Sequence, residues 1–295
     1  MISKSTDVYS LIEPEIKKLR KVGIETANLD CRLLLSKSLE REITLYNHQN
    51  IFISENEIKT FQKFIEQRIE GKPVSRIINK RNFWKKEFKL NDATLDPRTD
   101  SETLIETILE QNTQKSKFFK ILDLGSGSGC LGLSLLDEYY NSNVSFIDIS
   151  KKSLEIAKIN ALDYGFAERS KFIDLDWKLE EWNLKLIEAE NNIKFDIVIS
   201  NPPYIPTDNI KTLQKEVKKY DPFIALNGGK DGLDAYKFII PKLRFITKKN
   251  GKIFLEIGKD QKGLVSSIAL ENGLIPTKYK KDISGVNRVI TFIVK

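Results

Sequence analysis

Asn201-Pro202-Pro203-Tyr204 follows directly on the apolar run Phe195-Asp196-Ile197-Val198-Ile199-Ser200. Each proline lacks an N–H, fixes its own φ and drives the residue before it out of the helical region. Asn201 and Pro202 are therefore held extended, with carbonyl groups free to face a ligand. Two acceptors, the Asn201 side-chain oxygen and the Pro202 carbonyl, can take both hydrogens of an NH2 group. The group that suits them is a planar amide or amino nitrogen. Its delocalised lone pair makes it a poor nucleophile, so it gains from being held in line with its reaction partner. Tyr204 supplies a ring to stack on a flat substrate and, by cation–π attraction, to favour a positive charge. Asn201, Pro202 and Tyr204 are the candidate catalytic residues, and Asn201 to Tyr204, Pro203 included, the candidate substrate loop.

A second strand-like run, Ile121-Leu122-Asp123-Leu124, ends in Gly125-Ser126-Gly127-Ser128-Gly129. Glycines permit a tight turn and close approach of backbone to ligand. The helix that follows, through Leu131, Leu133 and Leu136, points its free N–H groups at that ligand. Gly127 to Gly132 also satisfies the dinucleotide pattern G-x-G-x-x-G, and Asp148 lies about 20 residues further on, as in NAD enzymes. Asp123 and Gly125 ahead of it complete the form D-x-G-x-G-x-G, typical of methyltransferases. With Asn-Pro-Pro-Tyr downstream, the pair favours methyl transfer from S-adenosylmethionine to a planar nitrogen. Asp123, Gly125, Ser126, Gly127, Ser128 and Gly129 are then cofactor residues, and Asp148 accepts from ribose hydroxyls. Asp174, Asp176 and Trp177 follow a third strand-like stretch around Phe172. There an acidic group can meet an adenine amino group while the indole covers the ring.

The remaining chemistry-bearing residues exclude alternatives. His48 is the only histidine, in the polar stretch Tyr46-Asn47-His48-Gln49-Asn50 far from both motifs, so a histidine base is not expected. A sulfonium donor is already activated, and neither a metal nor a strong base is required. Cys31 and Cys130 have no Cys or His neighbours at ligand spacing, which argues against disulfide scaffolds and zinc sites. At 40% apolar and 30% charged the chain has a soluble globular composition. It contains no apolar run near the roughly 20 residues of a membrane helix. The N-terminus lacks a signal core, so the expected location is cytoplasmic. Residues 1–90 carry 18 Lys/Arg against 12 Asp/Glu, and the remainder 30 against 29. The excess is densest from Lys72 to Lys89. It marks either a surface that meets something acidic or a set of solvated faces.

Three apolar stripes at helical spacing occupy the first 70 or so residues. They are Val8, Leu11, Ile12, Ile16 and Leu19; then Ala27, Cys31, Leu34, Leu35 and Leu39; then Ile58, Phe61, Phe64, Ile65 and Ile69. Ser54 is the expected N-cap of the third, and Pro14 fits the first stripe only in a first turn. The expected domain at 1–75 is a small helical bundle that recognises substrate. Residues 76–97, with Phe83, Trp84 and Phe88 among charges, form a linker or hairpin. From 98 to 295 strands alternate with helices: Phe119–Leu124, Val144–Ile149, Phe195–Ser200 and Lys252–Ile257 are β-rich. That alternation gives an α/β domain with a mostly parallel sheet, whose ligands bind at the strand carboxyl ends, where both motifs lie.

Over nearly its full length the chain resembles the HemK/PrmC family of protein-(glutamine-N5) methyltransferases. The pieces are Ile121 to Gly132, Phe195 to Ile205, Arg81 to Trp84, Ala93 to Glu102, Ala225 to Asp234 and Asp282 to Val289. Pro97-Arg98-Thr99-Asp100-Ser101-Glu102 departs from the family's more usual Pro-Arg-Pro-Asp-Thr-Glu, and Arg76 stands where an aromatic is common. The resemblance implies a class I SAM-dependent methyltransferase fold (Rossmann-like, seven-stranded, mostly parallel) preceded by a small all-α domain that grips the substrate. It implies S-adenosylmethionine bound by Gly125 to Gly129 and Asp148, with Trp177 along the adenine and Asn201 near the methyl. The implied substrate is the Gly-Gly-Gln glutamine of class-1 peptide chain release factors, the implied acting form a monomer, and no nucleic-acid substrate is expected. Alternatives are a ribosomal-protein glutamine, an adenine N6 held as a flipped base, and an RNA-binding factor using the Lys72 to Lys89 stretch.

Overall fold

Strands that are apolar at consecutive positions need cover on both faces, and such runs build parallel sheets between helical layers. The computed structural model describes residues 3–41, 43 and 50–295. His48 lies outside the described residues. The chain divides into two units: residues 1–80 with 215–220, and residues 81–214 with 221–295.

The first unit contains β1 (Ser3–Asp7), α1 (Val8–Lys21), α2 (Ala27–Ser38), β2 (Asn50–Ser54), α3 (Glu55–Ile69) and α4 (Val74–Ile78). Its core is built from the striped residues other than Ile69, which is exposed, with Leu19, Ala27, Cys31, Leu34, Leu35 and Phe61 fully buried. Ser54 and Glu57 cap α3 reciprocally. Pro14 stands inside α1, not in its first turn. The Asp7 carboxylate accepts from Ser10 N and starts the helix earlier, and the apolar stripe packs despite the missing proline N–H. β1 and β2 pair antiparallel, Ser3 opposite Ser54 and Asp7 opposite Asn50. The polar run Ser-Lys-Ser-Thr-Asp carries no alternation that announces this pair. Residues 215–220 join the unit through Glu216, which pairs with Arg68 at 2.6 Å while Arg68 Nε donates to the buried Asp30 at 2.7 Å.

The second unit opens with a hairpin, β3 (Lys80–Phe83) and β4 (Lys86–Lys89), and α5 (Glu102–Gln111). The sheet follows: β5 (Lys120–Leu124), α6 (Cys130–Glu138), β6 (Asn143–Asp148), α7 (Lys151–Asp163), β7 (Ser170–Asp174), β8 (Phe195–Ser200), β9 (Thr247–Glu256), β10 (Ile275–Lys281) and β11 (Asn287–Ile293). Seven strands lie in the order β10-β11-β9-β8-β5-β6-β7, and β11 alone runs against the rest. Alternate residues feed two cores: Leu122, Leu124, Val198 and Leu255 on one face, Ile121, Phe146, Ile197 and Phe254 on the other. β5 has β6 on one side and β8 on the other, so the strand order reverses direction there. That reversal opens a crevice at the carboxyl ends of β5 and β8. No helix of the described residues is long and apolar enough to cross a membrane.

Within this unit the basic stretch is internally compensated. Lys86 pairs with Asp137 at 2.9 Å, Lys89 with Asp163 at 2.7 Å, and Lys85 and Lys115 both reach Glu138. Trp84 Nε1 donates to Glu138 Oε1, the oxygen that Lys85 also reaches, at 2.9 Å, while Lys115 takes Oε2. Burial opposes the Glu138 charge, but these donors prevail and hold its pKa down to about 2. A depressed carboxylate contributes stability above its unfolded pKa and loses it as pH falls towards the folded value. Glu138→Gln is therefore expected to lower the urea midpoint near neutrality and to converge with wild type as pH falls from about 4.5 towards 2. Equal midpoints at neutral pH would remove Glu138 as an anchor of the hairpin.

Candidate active site

Leu124 and Ser200 are register partners in β5 and β8, and Ser200 Oγ donates to the Leu124 carbonyl at 2.7 Å. Gly125 and Asn201 consequently leave neighbouring strand ends side by side. Both line one cavity of about 410 Å3, within the range of small-molecule sites.

The glycine loop is shaped by left-handed residues. Gly125, Gly127 and Gly129 have φ of +73°, +54° and +79°, which side-chain-bearing residues rarely adopt. At Gly125 the need is doubled, because a Cβ would stand 2.8 Å from the Trp177 ring. The loop is held from below: Gly125 N and Ser126 N donate to the Ile147 carbonyl at 2.8 and 2.9 Å. Asp148 Oδ2 accepts from Gly127 N at 2.9 Å, and its Oδ1 from Ser150 N at 2.8 Å. Burial raises the Asp148 pKa against those bonds, and the carboxylate faces the cavity.

Gly125, Ser126, Gly127, Ser128, Asp148, Asp176, Trp177, Asn201 and Pro203 all line this cavity. The other expected residues are placed differently. Asp123 is fully buried beneath the loop, where its Oδ2 accepts from Gly132 N at 2.9 Å. Burial, ahead of that bond, brings its pKa up to about 7. It shapes the turn into α6 rather than facing a ligand. Gly129 is turned towards Ala157 and Leu133. Asp174 is exposed and pairs with Lys151 at 3.4 Å, leaving Asp176 and Trp177 at the cavity. Asp176 Oδ1 accepts from Lys178 N, a local turn that fixes the segment.

The Asn-Pro-Pro-Tyr loop departs most from expectation at Tyr204. Its ring, expected to stack on a flat substrate, is not part of the cavity lining. The phenol packs on the core and donates to Glu256 Oε1 at 3.2 Å. A ring followed by an extended backbone can turn to either side of the loop, and the buried carboxylate below supplies the stronger partner. Gln261 Nε2 donates to the Tyr204 carbonyl at 3.0 Å, and Ile205 pairs with residues 226–228. Pro202 is buried and does not line the cavity.

Several residues of the site carried no assignment in the sequence. Asn201 Nδ2 donates to Ser101 Oγ at 2.9 Å. Arg98 also lines the cavity and pairs with Asp221, and Phe223 and Ile224 stand exposed at its rim. Arg288 reaches Asp282 at 2.9 Å, Asp100 at 3.1 Å and Tyr204 Oη at 3.4 Å. The signal for them was in the segments Ala93 to Glu102, Ala225 to Asp234 and Asp282 to Val289. Nothing within any one of those segments shows that they converge.

Residues 16–78 match the PrmC N-terminal domain, and residues 93–219 match the methyltransferase small domain. A release factor glutamine methyltransferase of Agrobacterium fabrum is 35% identical over 94% of this chain and 93% of its own length. One from Bradyrhizobium diazoefficiens is 34% identical over 93% of this chain and 90% of its own. A bifunctional methyltransferase of Rickettsia felis is 34% identical over 93% of this chain and 56% of that protein. Of that relative and its Rickettsia counterparts the chain spans about half the length.

Proposed function

From a chain that belongs to the release factor glutamine methyltransferase family, we propose a specific reaction. A methyl group passes from S-adenosylmethionine to the side-chain amide nitrogen of the Gly-Gly-Gln glutamine in class-1 peptide chain release factors. The observation that carries this reading is the Asn201 side chain opening onto the same cavity as the glycine loop.

The residues fit the cofactor. The buried Ser126 hydroxyl lines the cavity without a hydrogen-bond partner among the described residues. Asp148 keeps unused lone pairs for ribose hydroxyls, and Trp177 presents an aromatic wall over Gly125. Gly125 to Ser128, Asp148, Asp176 and Trp177 would hold it. When bound, S-adenosylmethionine supplies an activated methyl on a sulfonium. The protein supplies placement: Asn201 Oδ1 accepts a hydrogen of the glutamine amide and orients its nitrogen, while the buried Pro202 holds the loop extended beneath it. Tyr204 acts beneath the loop, holding its shape. On this reading residues 1–75 recognise the release factor, 76–97 link, and 98–295 carry the chemistry. The enzyme acts on protein as a cytoplasmic monomer.

The test is transfer of labelled methyl to a purified class-1 release factor, beside a copy whose Gly-Gly-Gln glutamine is alanine. Label on the first and none on the second is expected. Label appearing instead on a ribosomal protein or on nucleic acid would replace the substrate.

A further inference from the structure

We propose that Arg288 is a positioning residue for methyl transfer: it braces the Asn-Pro-Pro-Tyr loop at both ends, Tyr204 directly and Asn201 through the turn that carries Asp100 and Ser101. This rests on the function proposed above and deepens it.

Asn201 can serve the reacting amide only with its oxygen towards the cavity. Its nitrogen end is taken by Ser101, whose Oγ accepts from Asn201 Nδ2 at 2.9 Å. The orientation of the Asn201 amide therefore depends on where Ser101 stands. Ser101 closes the short 3-10 turn Thr99–Ser101 at the start of α5. A three-residue turn is too short to hold its own place and must be fixed from outside. Asp221 pairs with Arg98 just before the turn, and Arg288 Nη2 donates to Asp100 Oδ2 at 3.1 Å within it.

Arg288 can act as a brace because it is itself held. Asp282, between β10 and β11, has a side chain only 1% exposed. Its Oδ1 accepts from Ser284 N and Val286 N, both at 3.0 Å. Its Oδ2 accepts from Arg288 Nε at 3.1 Å and Nη2 at 2.9 Å. Arg288 Nη1 donates to the Ile257 carbonyl at 3.3 Å and to Tyr204 Oη at 3.4 Å. A guanidinium carries five N–H groups in a rigid plane, and the five bonds found here use them all. Turning the plane would forfeit several at once.

The Tyr204 hydroxyl accepts from Arg288 and donates to Glu256 Oε1 at 3.2 Å, so it is held from two directions. Asn201 and Tyr204 are the first and last residues of the loop. The prolines between them have fixed φ, so a shift at either end carries the Asn201 amide with it. Arg288, Asp100 and Tyr204 do not line the cavity. Loss of the brace therefore reaches the reaction through misplacement of Asn201 and leaves the cofactor contacts in place.

The experiment measures kcat, the KM for release factor and, by calorimetry, the Kd for S-adenosylmethionine. It uses wild type, Arg288→Lys, Asp100→Ala, Ser101→Ala and the double variant Arg288→Lys with Ser101→Ala. Lysine keeps a positive charge beside the buried Asp282 but carries its donors on one nitrogen and cannot reach all the acceptors at once. Arg288→Lys is expected to lose about 10- to 100-fold in kcat with the cofactor Kd unchanged. Asp100→Ala changes a side chain that is 42% exposed, cuts one arm of the brace and is expected to lose about tenfold in kcat. It decides the matter if Arg288→Lys fails to fold. The double variant is expected to lose less than the product of its single losses, because both changes act on Asn201. A merely structural arginine would lower stability and leave the kcat of the folded enzyme near wild type. An active wild type beside Arg288→Lys and Asp100→Ala variants that keep its kcat overturns this inference alone. Losses that multiply fully in the double variant, or a parallel loss of cofactor affinity, overturn it too. A wild type that transfers no methyl to release factor overturns the proposed function and this inference with it.

Discussion

Replacing Asn201 with alanine is expected to lower kcat by roughly 100- to 1,000-fold while leaving S-adenosylmethionine affinity nearly unchanged. The asymmetry follows from placement. Asn201 lines the cavity at the end of β8, but the cradle is built from β5, β6 and β7 ends: Gly125 to Ser128, Asp148 and Trp177. On the proposed function, removing the side chain deletes an acceptor for the reacting amide and leaves that cradle intact. The Ser200–Leu124 and Gln261–Tyr204 bonds, neither of which uses the Asn201 side chain, keep the loop in place. Single-turnover kinetics at saturating cofactor, with calorimetric titration of the cofactor, separate the two effects. Normal turnover in the variant would sink the role of Asn201. A parallel loss of cofactor affinity would make it a cradle residue instead.

Gly125→Ala is expected to fail in the opposite way, weakening cofactor binding by about tenfold or more with a smaller effect on kcat at saturation. Its φ of +73° is left-handed, a region that costs an L-residue about 1–2 kcal/mol. The added methyl would also lie 2.8 and 3.0 Å from two atoms of the Trp177 ring. Either the indole moves or the loop does, and each spoils a wall of the cavity. Titration of S-adenosylmethionine against the variant, followed by indole fluorescence, measures the effect. An unchanged Kd would show that Trp177 and Gly125 do not form the floor of the cofactor site.

Taken together, the two expected outcomes divide the proposed site into a binding half and a reacting half. The same division separates what was legible early from what was not. The glycine loop was visible because its requirement is local. Glycines must take left-handed φ at a strand end, and the letters Gly-Ser-Gly-Ser-Gly state that need within a few residues. Asn201-Pro202-Pro203-Tyr204 was visible for a similar reason, since two prolines dictate the backbone of their own neighbourhood. Tyr204 shows the limit of such arguments. Nothing in the tetrapeptide says on which side of the loop the ring falls, and the buried Glu256, fifty-two positions away in sequence, draws it below.

The N-terminal unit divides likewise. Its apolar stripes give its helices and its core directly, because helical periodicity is a property of neighbouring residues. The pairing of β1 with β2 joins segments more than forty residues apart. Residues 215–220 belong to this unit although they lie far along the chain, and Glu216 there pairs with Arg68. The basic stretch from Arg81 onward changes meaning for the same reason: its counter-charges at Asp137, Glu138 and Asp163 lie far along the chain.

The alternating architecture and the two loops at strand ends were legible in the residues themselves, as was the proposal that those loops face a planar nitrogen. All three follow from residue types acting on their immediate backbone. The tertiary structure alone decided that Asp123 supports rather than contacts, that Ser101 meets Asn201, and that Glu256 with Arg288 underlies the loop. Those outcomes depend on which distant side chains are desolvated together. A buried carboxylate takes whatever donors the fold brings within reach, and only the folded chain fixes which ones those are.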